Sequence, residues 1–241
     1  MRILLNGAGG RMGKALTAMV ENGCRDAVIC AKIDPFAEGM LPSLQDCTIK
    51  CDCIIDFSNH AGTKALMDYA VANKLPVVVA TTGHTTEELS MIEAASKQIP
   101  VFHSGNMSLG IALLTKLAQQ AAKMFPDADI EIVESHHNQK LDVPSGTALM
   151  LAKSVQQARP EATMLVGRHE NGKRTKQEIG IHSLRMGNTV GIHEVIVNTG
   201  TQIITLKHEA QDRALFAEGA LDAAAFLLDK APGLYNMNDI V

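Results

Sequence analysis

The stretch Glu134–Ala152, ESHHNQKLDVPSGTALMLA, gathers two adjacent histidines, a lysine, an aspartate and a Pro-Ser-Gly-Thr turn ahead of an apolar, helix-like run. Core packing does not call for these groups, whereas histidine and lysine hold anions and exchange protons. His136, His137 and Lys140 are expected in a loop between a strand and a helix that begins at Gly146-Thr147. Leu149, Leu151 and Val155 supply the apolar face of that helix, Pro144 stiffens its entry and Ser145 is suited to cap it. A helix start offers N–H groups without internal partners and the positive end of a dipole. Lys140 and a histidine converging there would grip a carboxylate or phosphate, and they would also supply a proton. Two plainer readings stand beside this one: zinc held by the histidines and Asp142, or loop polarity without function. Adjacent histidines on an extended chain point to opposite sides and no third ligand is well spaced, so no metal is expected.

A second cluster opens the chain. ILLNGAGGRMG sets Gly7, Ala8, Gly9, Gly10, Arg11, Met12 and Gly13 between an apolar strand and an amphipathic helix carrying Met12, Leu16, Met19 and Val20. Glycines at such a turn let backbone N–H groups approach a pyrophosphate at the helix start. The spacing departs by one residue from G-x-G-x-x-G, but its place after the first strand is the context that gives the motif meaning. Asp34 lies 21 residues beyond Gly13, at the end of the second expected strand, where an acid accepts hydrogen bonds from ribose hydroxyls. A plain loop aspartate before Pro35 is the alternative.

These groups need a scaffold. Over the first hundred residues, strand-like runs at Ile3–Leu5, Ala27–Ile33, Cys53–Phe57, Val77–Ala80 and Val101–His103 alternate with helical patterns at Lys14–Glu21, Ala61–Asn73 and Thr86–Lys97. Thr85-Thr-Glu-Glu88 reads as a capping box. This is the pattern of an α/β protein with a Rossmann-like, doubly wound parallel sheet. Ligands of such sheets sit at the strands' carboxyl ends. Phe57–His60, Thr81-Thr82-Gly83 and Ser104-Gly105-Asn106-Met107 occupy those ends and are candidate walls of a nicotinamide pocket, or plain turns.

After Asn106 the pattern changes. A long amphipathic helix, Leu109–Met124, leads to a strand at Ile130–Glu134, and three more strand-like runs follow at Gln177–Leu184, Val190–Val197 and Gln202–His208. The last two are joined by a hairpin signal, Asn198-Thr-Gly-Thr. Strands in succession imply a second α+β domain with a mixed or antiparallel sheet. Asp212–Asp229 is helical again. The expected division is a dinucleotide-binding domain over 1–107, completed by about 213–241, and a second domain over 108–212.

Composition excludes several classes. The net charge is −4 with dispersed cations and few aromatics, which argues against a nucleic-acid partner. No apolar run approaches the roughly 20 residues of a membrane span, and the N-terminus does not read as a signal peptide. Cys24, Cys30, Cys47, Cys51 and Cys53 match no standard zinc spacing and suit a reducing compartment. A soluble, cytoplasmic protein is expected.

The motif ESHHNQKLDVPSGTA resembles the E-x-H-H-x-x-K-x-D-x-P-S-G-T-A signature of the 4-hydroxy-tetrahydrodipicolinate reductase (dihydrodipicolinate reductase) family of lysine and diaminopimelate biosynthesis. Similarity extends to NGAGGRMG, IIDFS, VVATTG, GNMSLG, SLRMGNTVGIHEV and PGLYNMNDIV. The resemblance implies that 108–212 binds substrate and assembles a homotetramer, and that Gly7 to Gly13 and Asp34 bind NADH or NADPH, with Ala80, Thr81, Thr82 and Ser104 to Met107 near the nicotinamide; Phe57, at the end of the third strand, is counted with the cofactor contacts. It implies His136 as acid/base and Lys140 as proton donor, with His137, Lys140, Gly146 and Thr147 on a small dicarboxylate substrate. Met107, Asn59 and VGIHEV depart from commoner family residues. Pro35 follows Asp34 where an arginine would greet a 2′-phosphate, so NADH is expected to serve at least as well as NADPH. An amino-acid dehydrogenase and a non-catalytic NADH sensor remain as alternatives, and neither accounts for the His-His-x-x-Lys signature.

Overall fold

The computed structural model describes all 241 residues, in two compact units: Met1–Leu109 with Arg213–Val241, and Gly110–Asp212. The first unit is built on six parallel strands, β1 (Arg2–Asn6), β2 (Val28–Ile33), β3 (Cys53–Asp56), β4 (Val77–Val79), β5 (Pro100–His103) and β11 (Gly233–Tyr235). Their order across the sheet is β11-β5-β4-β3-β1-β2. Chain order reverses at β1, flanked by β2 and β3, which makes this the switch point where ligands of such sheets bind.

Alternation along the strands dresses both faces. Leu4, Ile54, Val77, Val79 and Val101 pack against Leu66, Met67 and Ala70 of α2 (Thr63–Asn73) and Ile92 and Ala95 of α3 (Thr86–Ser96). The other face meets α6 (Ala214–Leu227), which also packs on α1 (Arg11–Glu21). Thr85 and Glu88 form the expected capping box on α3. Helix α1 starts three residues earlier than its apolar periodicity suggests, because Gly10, extended at its N-cap, is followed directly by helical residues. The short strand β11 has no periodic signal of its own; it exists because the returning chain adds to β5.

The second unit holds a five-stranded mixed sheet in the order β10-β9-β6-β8-β7. These strands are β6 (Asp129–His136), β7 (Thr163–Val166), β8 (Glu178–Arg185), β9 (Gly191–Asn198) and β10 (Ile203–Ala210). The hairpin β9–β10 forms as expected, whereas β8 pairs with β6 in parallel and never with β9. Ile130, Ile132, Ile179, Ile181, Val195 and Val197 line one face under α4 (Leu109–Met124) and α5 (Gly146–Ala158).

Gly219 sits in α6 where an added Cβ would lie 1.7 Å from the Met107 carbonyl oxygen. Helix propensity alone credits alanine over glycine with about 1 kcal/mol. We expect the opposite sign for Gly219→Ala, a loss of about 1–3 kcal/mol from overpacking, read by urea unfolding. A stabilised variant would show that α6 is free to shift.

Candidate functional site

At the switch point the backbone itself is the site. Gly7 has φ +78, and a Cβ there would lie 2.5 Å from the Phe57 carbonyl oxygen, so only glycine lets the β1 turn pass beneath the end of β3. A Cβ on Gly13 would lie 2.4 Å from the Gly7 oxygen, so the first turn of α1 seats directly on the loop. The amides of Gly7 and Ala8 are tied to Ile33 O at 2.9 and 3.1 Å, which draws the loop toward β2. Asp34, immediately after β2, accepts from Gly9 N at 3.0 Å and from Phe36 N at 3.0 Å. Gly10, Arg11 and Met12 are at least partly exposed at the helix start, whose first amides have no acceptor within the helix. A cavity of about 430 Å³ opens here, lined by Asn6, Gly7, Gly10, Asp34, Phe57 and the fully solvent-facing Phe36 among others. A cradle that a Cβ would fill, a carboxylate at the end of β2 and an open helix start fit a dinucleotide.

The remaining loops of this unit hang on Asp56, which is 2% exposed at the end of β3. Its carboxylate accepts from Asn6 Nδ2 at 2.7 Å, Ser58 Oγ at 2.6 Å and Thr81 Oγ1 at 2.6 Å. Burial pushes this carboxyl up, and the Ser58, Thr81 and Asn6 donors pull back against it. One buried acid thereby fixes the ends of β1, β3 and β4, and with them Phe57 and Ala80–Thr82. Thr82 is exposed, and Ala80 N is held by Asp56 O at 3.0 Å. Beyond β5, Ser104 Oγ donates to Asn106 O at 2.7 Å, Gly105 is exposed, and Met107 is buried.

The second unit carries a separate polar cluster. Along β6, Ile130, Ile132, Glu134 and His136 share one face, so the apolar face turns polar at its far end. His136 is therefore the last residue of a strand, not part of a loop, because β6 stays paired with β8 as far as His136↔Arg185. Glu134 is fully buried. Arg185 grips it with two parallel hydrogen bonds of 2.8 and 2.9 Å, Ser145 N donates to it at 3.1 Å, and His136 Nδ1 lies 2.6 Å away. Desolvation raises the carboxyl, yet Arg185, Ser183, His136 and Ser145 outweigh it and hold the pKa down to about 2. His136 is lowered by its own burial, against the pull of Glu134. Its Nε2 lies where a Cβ on Gly191 would come within 3.2 Å.

Ser145 caps α5 as expected, accepting from Ala148 N at 3.2 Å. The same hydroxyl meets His193 Nε2 at 3.2 Å, and His193 stacks edge-on to His136 with ring centroids 5.1 Å apart. Lys140 follows the strand and pairs with Asp142 at 2.8 Å, while Arg185 donates to the Asp142 carbonyl at 2.7 Å. His137 is half-buried, and Gly146 and Thr147 open the helix beside this cluster. Glu134, Arg185 and His193 were not singled out by sequence reasoning. One signal was present for Glu134, its i, i+2 spacing between Ile132 and His136 on the buried face.

A family model described as dihydrodipicolinate reductase, N-terminus, matches residues 1–107, and the corresponding C-terminus model matches residues 110–241. The chain belongs to the dihydrodipicolinate reductase family. It is 44% identical over 247 residues to the 4-hydroxy-tetrahydrodipicolinate reductase of Caldanaerobacter subterraneus subsp. tengcongensis, covering 100% of this chain and 98% of that one. The protein of the same name from Clostridium tetani is 42% identical, with 99% and 96% covered. Among solved structures, dipicolinate-bound dihydrodipicolinate reductase from Paenisporosarcina sp. TG-14 matches with TM-score 0.84 at 26% identity, covering 100% of this chain and 99% of that one. A probable dehydrogenase from Thermotoga maritima, 13% identical with TM-score 0.62 and coverage of 100% and 92%, shares the fold.

His193 titrates at about 4, lowered by burial and then by the neighbouring His136. Its folded pKa lies below the ordinary 6.5, so the unfolded chain binds the extra proton between these values. Stability from this group is complete above pH 6.5 and is lost as pH falls toward 4, on the order of 3 kcal/mol. Urea unfolding of His193→Gln across this range should show a distinctly flatter pH dependence than the parent. Identical slopes would mean that His193 is solvated and titrates normally.

Proposed function

We propose that the chain reduces 4-hydroxy-tetrahydrodipicolinate, by way of dihydrodipicolinate, to tetrahydrodipicolinate in lysine and diaminopimelate biosynthesis. The observation that carries this reading is His136, anchored by a buried carboxylate and followed by Lys140 and the start of α5, in a chain matched over both its parts by the family. Bound NADH or NADPH supplies the hydride. The Gly7–Gly13 segment takes the pyrophosphate, Asp34 the adenosine ribose, and Phe57, Ala80–Thr82 and Ser104–Met107 border the nicotinamide. His137, Lys140, Gly146 and Thr147 hold the substrate carboxylates through cationic groups and helix-start amides.

Loss of the 4-hydroxyl as water leaves a ring C=C conjugated to the imine; that C=C accepts hydride, its electron pair moves toward the ring nitrogen, and an acid completes the reduction. Lys140 is the donor we assign to that proton, and His136 the neighbouring acid/base. Burial holds the His136 imidazole below its ordinary pKa, with the Glu134 carboxylate pulling the other way. A homotetramer completes the proposal. The sheet face turned away from α4 and α5, where Leu184 and Ile203 are at least half exposed, is the surface we assign to assembly.

The test follows oxidation of reduced nicotinamide while the condensation product of pyruvate and aspartate semialdehyde is supplied. Turnover is expected with that product alone. Turnover with amino acids would support the dehydrogenase alternative, and binding without turnover a sensor. Lys140→Ala should lower kcat by about 10²–10⁴-fold with NADH affinity unchanged; near-normal turnover would remove Lys140 from its role.

Cofactor choice follows from Asp34. A 2′-phosphate beside this carboxylate meets a like charge, worth roughly 1 kcal/mol at 4 Å in water and about 4 kcal/mol at a surface-like dielectric. The kcat/KM for NADH should equal or exceed that for NADPH. A strong NADPH preference would mean that Lys32 or Arg11 reaches the phosphate.

A further inference from the structure

Arg185 ends β8 directly opposite His136 in the parallel β6–β8 ladder. Its guanidinium makes two connections at once. One is the paired hydrogen bond to Glu134, which in turn holds His136 Nδ1. The other runs from Nη2 to the Asp142 carbonyl, two residues beyond Lys140, whose ammonium rests on the Asp142 carboxylate. A buried carboxylate shared by an arginine and an imidazole is costly to assemble, and a structural strand end does not need it.

We propose that Glu134 and Arg185 are positioning residues for the reduction, whose ion pair orients His136 through Nδ1 and holds the Lys140 loop through Asp142. The proposal rests on the reductase reading. Glu134 touches His136 by its ring nitrogen, so the carboxylate selects the tautomer with hydrogen on Nδ1 and leaves Nε2 as the exchanging nitrogen. Arg185 makes no contact with His136 Nδ1; it holds the Glu134 carboxylate in place and the loop in register. Gly191 on β9 leaves the space that Nε2 occupies.

The charged and titratable groups around His136 are Glu134 on its own strand, Arg185 on β8, His193 on β9 and Lys140 in the following loop. Glu134 pulls the imidazole pKa upward, and Lys140 and Arg185 push it down. The two partners of one ion pair therefore act on His136 with opposite signs. A merely structural pair would carry the same signs, but breaking it in a chain that still folds and binds NADH would leave kcat unchanged.

The experiment measures kcat/KM against pH at saturating NADH for full-length Glu134→Gln and Arg185→Met, with the His136 ring ¹⁵N titration recorded in both. Glu134→Gln should move the His136 limb to lower pH by about one unit or more, and Arg185→Met should move it to higher pH. Both should lose kcat at least about tenfold with NADH affinity unchanged. Each substitution is informative alone, so a folding failure in one leaves the other decisive. Unchanged kcat in either variant that folds and binds NADH, or a His136 limb that does not move, would overturn the proposal. Failure of the wild-type chain to turn over the condensation product would instead overturn the reductase reading, and the ring titration would still decide the roles of Glu134 and Arg185.

Discussion

A fully buried carboxylate has to be answered by donors, and in the second unit Glu134 organises everything around that requirement. Its two oxygens collect the Arg185 guanidinium, the Ser145 amide and the His136 imidazole. Those donors come from β8, the entry of α5 and β6 itself. Burying the charge therefore sets where one helix begins, where two strands end and which nitrogen of His136 is tied down. Removing any one donor leaves a buried charge short of a partner, which is costlier than losing an ordinary hydrogen bond.

The first unit uses the same device at Asp56, where one buried acid ties the ends of three parallel strands. There the acid serves placement alone, and steric limits shape the binding surface. Gly7 and Gly13 allow a backbone approach that any side chain would block, and Asp34 stands at the end of β2 with Gly9 N on one oxygen. The cradle of the first unit thus rests on backbone and shape, whereas the cluster of the second unit rests on charge.

Much of this was legible in the residues because its causes are local. The glycine turn, the Thr85–Glu88 box, the Ser145 cap and the β9–β10 hairpin each depend on a few neighbouring positions. What escaped sequence reasoning depends on partners far along the chain. Arg185 meets Glu134 across 51 residues, and Thr81 meets Asp56 across 25. The reach of β6 through His136 was missed for the same reason, since the ladder with β8 extends the strand past its apolar run. Strand β11 has no pattern apart from the β5 edge it completes.

On the proposed reading, the donor-rich end of the second unit is built for two carboxylates. Isothermal titration of the chain with pyridine-2,6-dicarboxylate and with pyridine-2-carboxylate tests it directly. Charge-assisted hydrogen bonds contribute about 1.5–3 kcal/mol each, so the dicarboxylate should bind at least about tenfold more tightly. Equal affinity for the two ligands would mean that the cluster grips a single anionic group, and the dicarboxylate assignment would be wrong.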